Sequence, residues 1–193
     1  SVHGGNRLGA NSLLDTLVFG RRSGAHAADV VRNMHMPDAS RARLDDEADR
    51  IDAIVARDRG GRRVSEIKAE LGQTMDKYVA VFRDEAGLHT ALEIVRRLKD
   101  EAANVAIDDK GSVFNQDVLG ALELQFMLDN AECSVVSAIE RRESRGAQYR
   151  TDYPERNDDE WLKHINVAPN GDEPDISYSE VTMTQWEPQE RTY

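Results

Sequence analysis

The chain has 193 residues, 32% of them charged, 39% hydrophobic and 6% aromatic, with a formal net charge of −11. Such an acidic balance argues against a nucleic-acid binder, because a phosphate backbone demands a basic face, and no run approaches the roughly 20 apolar residues that span a bilayer. The single cysteine, Cys133, excludes an internal disulfide and a cysteine zinc site.

The charge is unevenly placed. Residues 1–36 hold four Arg against two Asp, whereas residues 151–193 hold eleven acids against three bases. An anionic small ligand, if the chain binds one, therefore belongs at the start. There Gly4, Gly5 and Gly9 let the backbone approach a ligand closely, and Arg7 offers a guanidinium fork for a carboxylate or phosphate. Asn11 or Ser12 is placed to cap a helix whose free N–H groups face what lies in front of them. That helix is expected from about Ser12 to Met34, apolar at its beginning as a helix buried among other elements would be. The chain begins inside this motif without an initiator Met and reads as the C-terminal piece of a larger protein.

Four more helices follow. Ser40 caps a segment to about Arg59 with Leu44, Ala48, Ile51 and Ile54 at helical spacing. The next runs from Val64 to Arg83, with Ile67, Leu71, Met75, Val79 and Phe82 on one stripe. After a break at Glu85-Ala86-Gly87, a fourth is expected from Leu88 to about Asn104. Beyond the turn Asp108-Asp109-Lys110-Gly111, a long fifth spans about Asn115 to Arg142, its apolar side formed by Leu119, Leu122, Phe126, Ala131, Cys133 and Val136. Cys133 thus reads as a small core residue. The stripes and short connections are those of an antiparallel bundle.

Past Gly146 the character changes. Trp161–Val167 and Ile176–Met183 alternate as two strands around Pro169-Asn170-Gly171-Asp172, a hairpin signal. Gln185 to Tyr193 reads as an extended tail.

The glycine-rich start is not a phosphate-binding P-loop, since Ala10-Asn11 stands where Lys-Ser/Thr is required. An anion-binding turn and a purely structural turn both remain open on these residues. The five histidines show no metal-ligand spacing, and His26 and Asp29, sharing a helix face at i, i+3, read as a surface contact rather than a site. Arg141-Arg142-Glu143-Ser144-Arg145-Gly146 reads as a helix C-terminus, with cations complementing the dipole and Gly ending the turn.

His3-Gly-Gly-Asn-Arg-Leu-Gly-Ala-Asn-Ser-Leu-Leu-Asp-Thr-Leu-Val-Phe-Gly-Arg resembles the C-terminal part of the flavin domain in the succinate dehydrogenase/fumarate reductase flavoprotein family. Further segments are similar to that family in order: Asp76-Lys-Tyr-Val-Ala-Val-Phe-Arg, Leu119-Gly-Ala-Leu-Glu-Leu, and the run from Glu143-Ser-Arg-Gly-Ala-Gln-Tyr-Arg to Trp161-Leu-Lys-His. The Arg191-Thr192-Tyr193 ending is similar to that of bacterial succinate dehydrogenases. Two positions depart: Gly5 replaces the commoner Ala, and Gln148 the commoner His.

The resemblance implies a mainly α fold, with an antiparallel, spectrin-repeat-like bundle preceded by a flavin-domain helix and followed by a small β-hairpin and tail. It divides the chain into residues 1–36 completing an FAD-binding domain, 37–145 as the helical domain and 146–193 as hairpin and tail. Arg7 would bind a carboxylate of succinate or fumarate, and Ser12 and Leu13 would contact FAD through backbone at the helix start. No metal site or catalytic base is implied in this segment; the covalent flavin attachment site and the proton-shuttling arginine would lie upstream, leaving the segment alone inactive. The implied activity is oxidation of succinate with hydride transfer to FAD and electrons passed to an iron–sulfur subunit and quinone. Membrane anchor subunits would hold the enzyme peripherally at the cytoplasmic face of the bacterial inner membrane. Fumarate reductase, L-aspartate oxidase and a non-catalytic helical interaction module are the rival readings.

Overall fold

The computed structural model describes residues 9–38, 40–58, 61–171, 173–185 and 189. In chain order the elements are α1 (Asn11–Val31), α2 (Arg41–Ala56), α3 (Val64–Tyr78), β1 (Phe82–Arg83), α4 (Glu85–Ala102), α5 (Gln116–Glu140), β2 (Tyr149–Arg150), α6 (Asp158–Trp161), β3 (Lys163–Ala168) and β4 (Asp175–Glu180). Helix accounts for 57% of the described residues, so the fold is mainly α.

Short polar side chains set the helix starts. Ser40 Oγ accepts from the Arg43 amide at 3.4 Å, and Asp84 Oδ1 accepts from Gly87 at 2.8 Å. Asn115 Oδ1 accepts from Val118 at 2.8 Å. Each satisfies a backbone donor that the helix itself leaves orphaned. The expected break at Glu85-Ala86-Gly87 is in fact the first turn of α4, because Asp84 caps it there.

Helices α3, α4 and α5 pack with their directions alternating. Ile67 and Leu71 near the start of α3 share a core with Val95 and Leu98 from the end of α4 and Leu124 and Leu128 from the first half of α5. At the opposite end, Leu88 and Ala91 from the start of α4 meet Val79, after α3, and Val135 and Ala138 from the end of α5. Ion pairs stitch the same contacts. Arg62, just before α3, reaches Glu101 at 2.6 Å and Glu70 at 2.8 Å, and Arg97 joins both acids. Buried Glu132 of α5 accepts from Arg96 at 3.1 Å and Lys99 at 2.6 Å, so its charge is fully paired. Helix α2 lies against α5 through buried Ile54, with Arg50 Nη1 on Gln125 Oε1 at 2.9 Å.

Several expectations are corrected. Helix α1 starts at Asn11 and buries none of its residues: Leu13 and Leu17 are each 72% exposed, because its apolar side meets nothing among the described residues. Helix α3 ends at Tyr78, and Phe82 lies in a strand and is 70% exposed. On α5 the buried apolar residues are Ala121, Leu124, Leu128, Ala131, Val135, Val136 and Ala138, so Ala131 and Val136 face inward as expected. Leu119 and Phe126 lie on the outer side, and Cys133 is exposed rather than core. An apolar residue on nearly every face of α5 hid which face packs inward. Leu44 of α2 is likewise exposed.

The hairpin forms as expected, β3 and β4 pairing antiparallel from Lys163↔Glu180 to Ala168↔Asp175. Gly171 in its turn has φ 59°, a conformation that costs glycine nothing. Trp161 ends α6 instead of opening the strand and is buried against Tyr178, ring centroids 6.5 Å apart. A second, parallel pair joins β1 to β2 with Phe82 opposite Tyr149 and Arg83 opposite Arg150.

Candidate functional site

Two regions carry chemistry. At the first, α1 begins after Ala10, which has φ 64° and occupies the N-cap. Neither Asn11 nor Ser12 is the cap; both are already helical, and the carbonyl of Ala10 accepts from the amides of Leu13 at 3.1 Å and Leu14 at 3.4 Å. A left-handed alanine costs about 1 kcal/mol relative to glycine. The first turn holds no acidic side chain, so the positive pole of this 21-residue helix is not neutralised by its own first turn. Gly9 has open space where a side chain would stand. Ser12 is half-buried and Leu13 exposed. Arg7, Gly4 and Gly5 lie outside the described residues, so the structure brings together only Gly9, Ser12 and Leu13 of the motif.

The second region is an ionic knot after α5. Arg150 is fully buried. Its Nε and Nη2 grip both oxygens of Asp152 at 2.8 Å, Nη2 also reaches Glu85 Oε2 at 2.6 Å, and Nη1 donates to the carbonyls of Ala138 at 2.9 Å and Ile139 at 3.3 Å. Those carbonyls belong to the open last turn of α5, so the cation complementing its dipole is Arg150, arriving from outside the helix. Helix α5 stops at Glu140. Gly146, with φ 63°, turns the chain between Arg145 and Gln148 rather than ending the helix.

Glu143 is also fully buried. It accepts from Arg141 at 2.7 Å, Arg145 at 2.6 Å and the Asn157 amide at 2.8 Å. Burial alone would push its carboxyl up; the two guanidiniums and the amide outweigh that and hold it below the usual range. Asp158, gripped by Arg156 and Arg145, lies lower still. Arg156 Nη1 also holds the carbonyl of Gln189 in the tail at 2.9 Å. Gln148 bridges the knot to β1: its Nε2 donates to the Arg141 carbonyl at 3.0 Å and its Oε1 accepts from Arg83 Nη1 at 3.0 Å.

The charge order Glu143, Arg145, Arg150, Asp152, Arg156, Asp158 was the available signal for this knot. Opposite signs recur at i, i+2, a spacing that belongs to extended loops and that a search for helix ends passes over. Among the described residues no group of three or more His, Cys, Asp or Glu side chains is placed to hold a metal, and no helix is long and apolar enough to cross a membrane.

Comparison with known proteins adds a second line of observation. The profile of the family described as "Fumarate reductase flavoprotein C-term" matches residues 68–193. A fumarate reductase flavoprotein subunit of Mycobacterium tuberculosis is 40% identical over the whole of this chain and 34% of its own length. A succinate dehydrogenase flavoprotein subunit of Rickettsia bellii is 37% identical over 95% of this chain and 31% of its own. Among solved structures, the E. coli quinol fumarate reductase superposes with a TM-score of 0.84 at 32% identity, over 96% of this chain and 32% of that one. The Mycobacterium smegmatis Sdh1 complex does so with 0.82 at 36%, over 92% and 30%. The chain thus spans about a third of the length of the relatives it matches.

Proposed function

The chain belongs to the succinate dehydrogenase and fumarate reductase flavoprotein family, and on that premise we propose that it forms the C-terminal part of a flavoprotein subunit that oxidises succinate to fumarate. The observation that carries the reading is the continuous match, from the glycine turn into the tail, to subunits bearing both names. We divide the chain as residues 1–36 completing the FAD-binding domain, 37–145 the helical domain and 146–193 the hairpin and tail.

The residues fit a flavin. Ala10, with no polar side chain, leaves the start of α1 without a side-chain cap, and no acid in the first turn opposes an electron-rich ring edge. Ser12 and Leu13 would contact that edge from the helix start, Leu13 only as a shared donor because its amide already bonds the Ala10 carbonyl at 3.1 Å, and open Gly9 keeps the turn clear of bulk. FAD, when bound there, supplies the two-electron acceptor. Arg7 would grip one carboxylate of the dicarboxylate in two-pronged fashion, fixing its orientation and offsetting its charge. The proton goes to a base outside these residues.

An iron–sulfur subunit and membrane anchor subunits are the expected partners, which would place the protein peripherally at the cytoplasmic face of the bacterial inner membrane. The solved relatives, a quinol fumarate reductase and an Sdh1 complex, support that assembly. The hairpin, the long tail and its Arg191-Thr192-Tyr193 ending favour succinate dehydrogenase over L-aspartate oxidase, while the direction of catalysis depends on the flavin potential and the quinone rather than on these residues.

The test is made in the full-length flavoprotein. Arg7→Ala and Arg7→Lys are expected to abolish turnover while flavin stays bound; near-normal activity in the Lys variant would overturn the assignment. Steady-state rates of succinate oxidation against fumarate reduction decide the direction, and a faster fumarate reduction reverses it.

A further inference from the structure

An exposed aromatic pair stands beside an arginine that pairs with no acid among the described residues. Phe82 is 70% exposed and Tyr149 40%, their rings meeting edge-on with centroids 5.5 Å apart. Next to them Arg83 is half-buried. Its Nε donates to the Ala80 carbonyl at 2.7 Å and its Nη1 to Gln148 Oε1 at 3.0 Å, both neutral acceptors. Its Nη2 donates to nothing among the described residues.

Among the described residues, the acids that follow it in the chain and the acid that follows its strand partner all hold other donors. Asp84 Oδ1 caps α4 on Gly87, Glu85 Oε2 takes Arg150, and both oxygens of Asp152 take Arg150 as well. Burial, and then the charge of Arg150, push the Arg83 pKa down, as happens to a cation without a counter-ion. In a chain with 36 acids against 25 Lys and Arg, a desolvated and unpaired guanidinium is an anomaly that a bound carboxylate would relieve.

We propose that Phe82, Arg83 and Tyr149 form a docking surface for a carboxylate-bearing segment of the flavin-binding portion of the same polypeptide. An Asp or Glu side chain sits on Arg83, and apolar side chains beside it cover Phe82 and Tyr149. The proposal rests on the reading of this chain as part of a longer flavoprotein. Charge complementarity supplies the carboxylate. Arg and Tyr are the residue types that dominate interface energies, and the bonds to Ala80 and Gln148 hold the guanidinium in place beforehand, so docking orders little.

The size of the surface identifies its source. Three side chains fall well short of the ~800 Å² per partner that a stable association between separate proteins buries. The matched relatives carry about two-thirds of their length beyond this region in the same chain. A covalently continuous segment is presented at high effective concentration, and so small a contact suffices for it.

The experiment is zero-length cross-linking of the full-length flavoprotein carrying Arg83→Lys. A water-soluble carbodiimide joins an amine to a carboxylate in direct contact, and peptide mass spectrometry locates the bond. The expected product links position 83 to an Asp or Glu in the flavin-binding portion, and the wild type gives none at that position. Arg83→Glu is expected to lower the melting temperature by about 2–4 °C, restored when the cross-linked acid is changed to Lys. A link only to Glu85 or Asp152, a link to a separate subunit, or no link overturns the proposal. Flavin absorbance of the same sample separates the two readings: flavin retained without the cross-link sinks this surface alone, whereas a preparation that cannot hold flavin counts against the proposed function.

Discussion

Arg150 Nη1 donates to the carbonyl of Ala138 at 2.9 Å, so one buried guanidinium closes the end of α5 while its other nitrogens hold Asp152 and Glu85. Removing it opens a void and strips the carbonyls of Ala138 and Ile139 of a donor, and both acids lose their partner. Arg150→Ala is expected to cost about 3–5 kcal/mol. Arg150→Lys keeps the charge without the planar fork and should lose less. Urea midpoints at unchanged m-value measure both; a loss below ~1 kcal/mol for the Ala variant would show that water replaces the guanidinium.

Acid should weaken the same joint. The fork of Arg150 holds the Asp152 carboxyl at about 2, well below its ordinary 3.8. A depressed folded-state pKa stabilises fully above the unfolded value, and that stability is lost as pH falls from about 4 through 2. The carboxylate is partly wet, so the loss is about 1–2 kcal/mol. Asp152→Asn should flatten the acid limb of a stability–pH profile; an unchanged limb would assign it to other carboxylates.

Gln148 both donates to the Arg141 carbonyl and accepts from Arg83. A neutral imidazole also offers one donor and one acceptor, so Gln148→His should fold normally at pH 8. Beside the Arg83 guanidinium, and sharing the Arg141 carbonyl with Arg150 Nη1, the ring should titrate below the usual ~6.5. Stability then falls as pH drops through that range, while the wild type stays flat there. Melting temperatures at pH 5.5 and 8 compare the two; parallel behaviour would refute the bridge.

Cys133 lies on the outer side of α5. It should react stoichiometrically with an aromatic disulfide reagent without denaturant, and Cys133→Ser should change stability by no more than ~0.5 kcal/mol. Protection until unfolding would mean that the outer side of α5 is covered.

Helix existence and the hairpin were legible because periodicity and caps are local. Ser40 and the Asn170-Gly171 turn act within four residues. The inward face of α5 was not legible, because Phe126 and Leu119 are as apolar as Leu124 and Leu128, and only packing decides between them. Asp84 caps α4 on Gly87, so the helix starts at Glu85, ahead of the first residue of its apolar stripe, Leu88. At the candidate site, the glycine turn and Arg7 drew attention through residue type alone. The knot of Glu143 and Arg150 did not, since its contacts with Glu85 and the end of α5 exist only once distant segments meet.

The β1–β2 pair has a consequence for the order of assembly. It ties Phe82 and Arg83 to Tyr149 and Arg150 across the whole of α4 and α5. Closing so long a loop yields few contacts for the entropy it removes, whereas α3, α4 and α5 meet through neighbours in sequence. The three helices therefore gather first and the strand pair locks last. During synthesis the end of α5 stays frayed until Arg150 has left the ribosome, and pulse-labelled exchange should show the Tyr149 and Thr151 amides protected after those of α4.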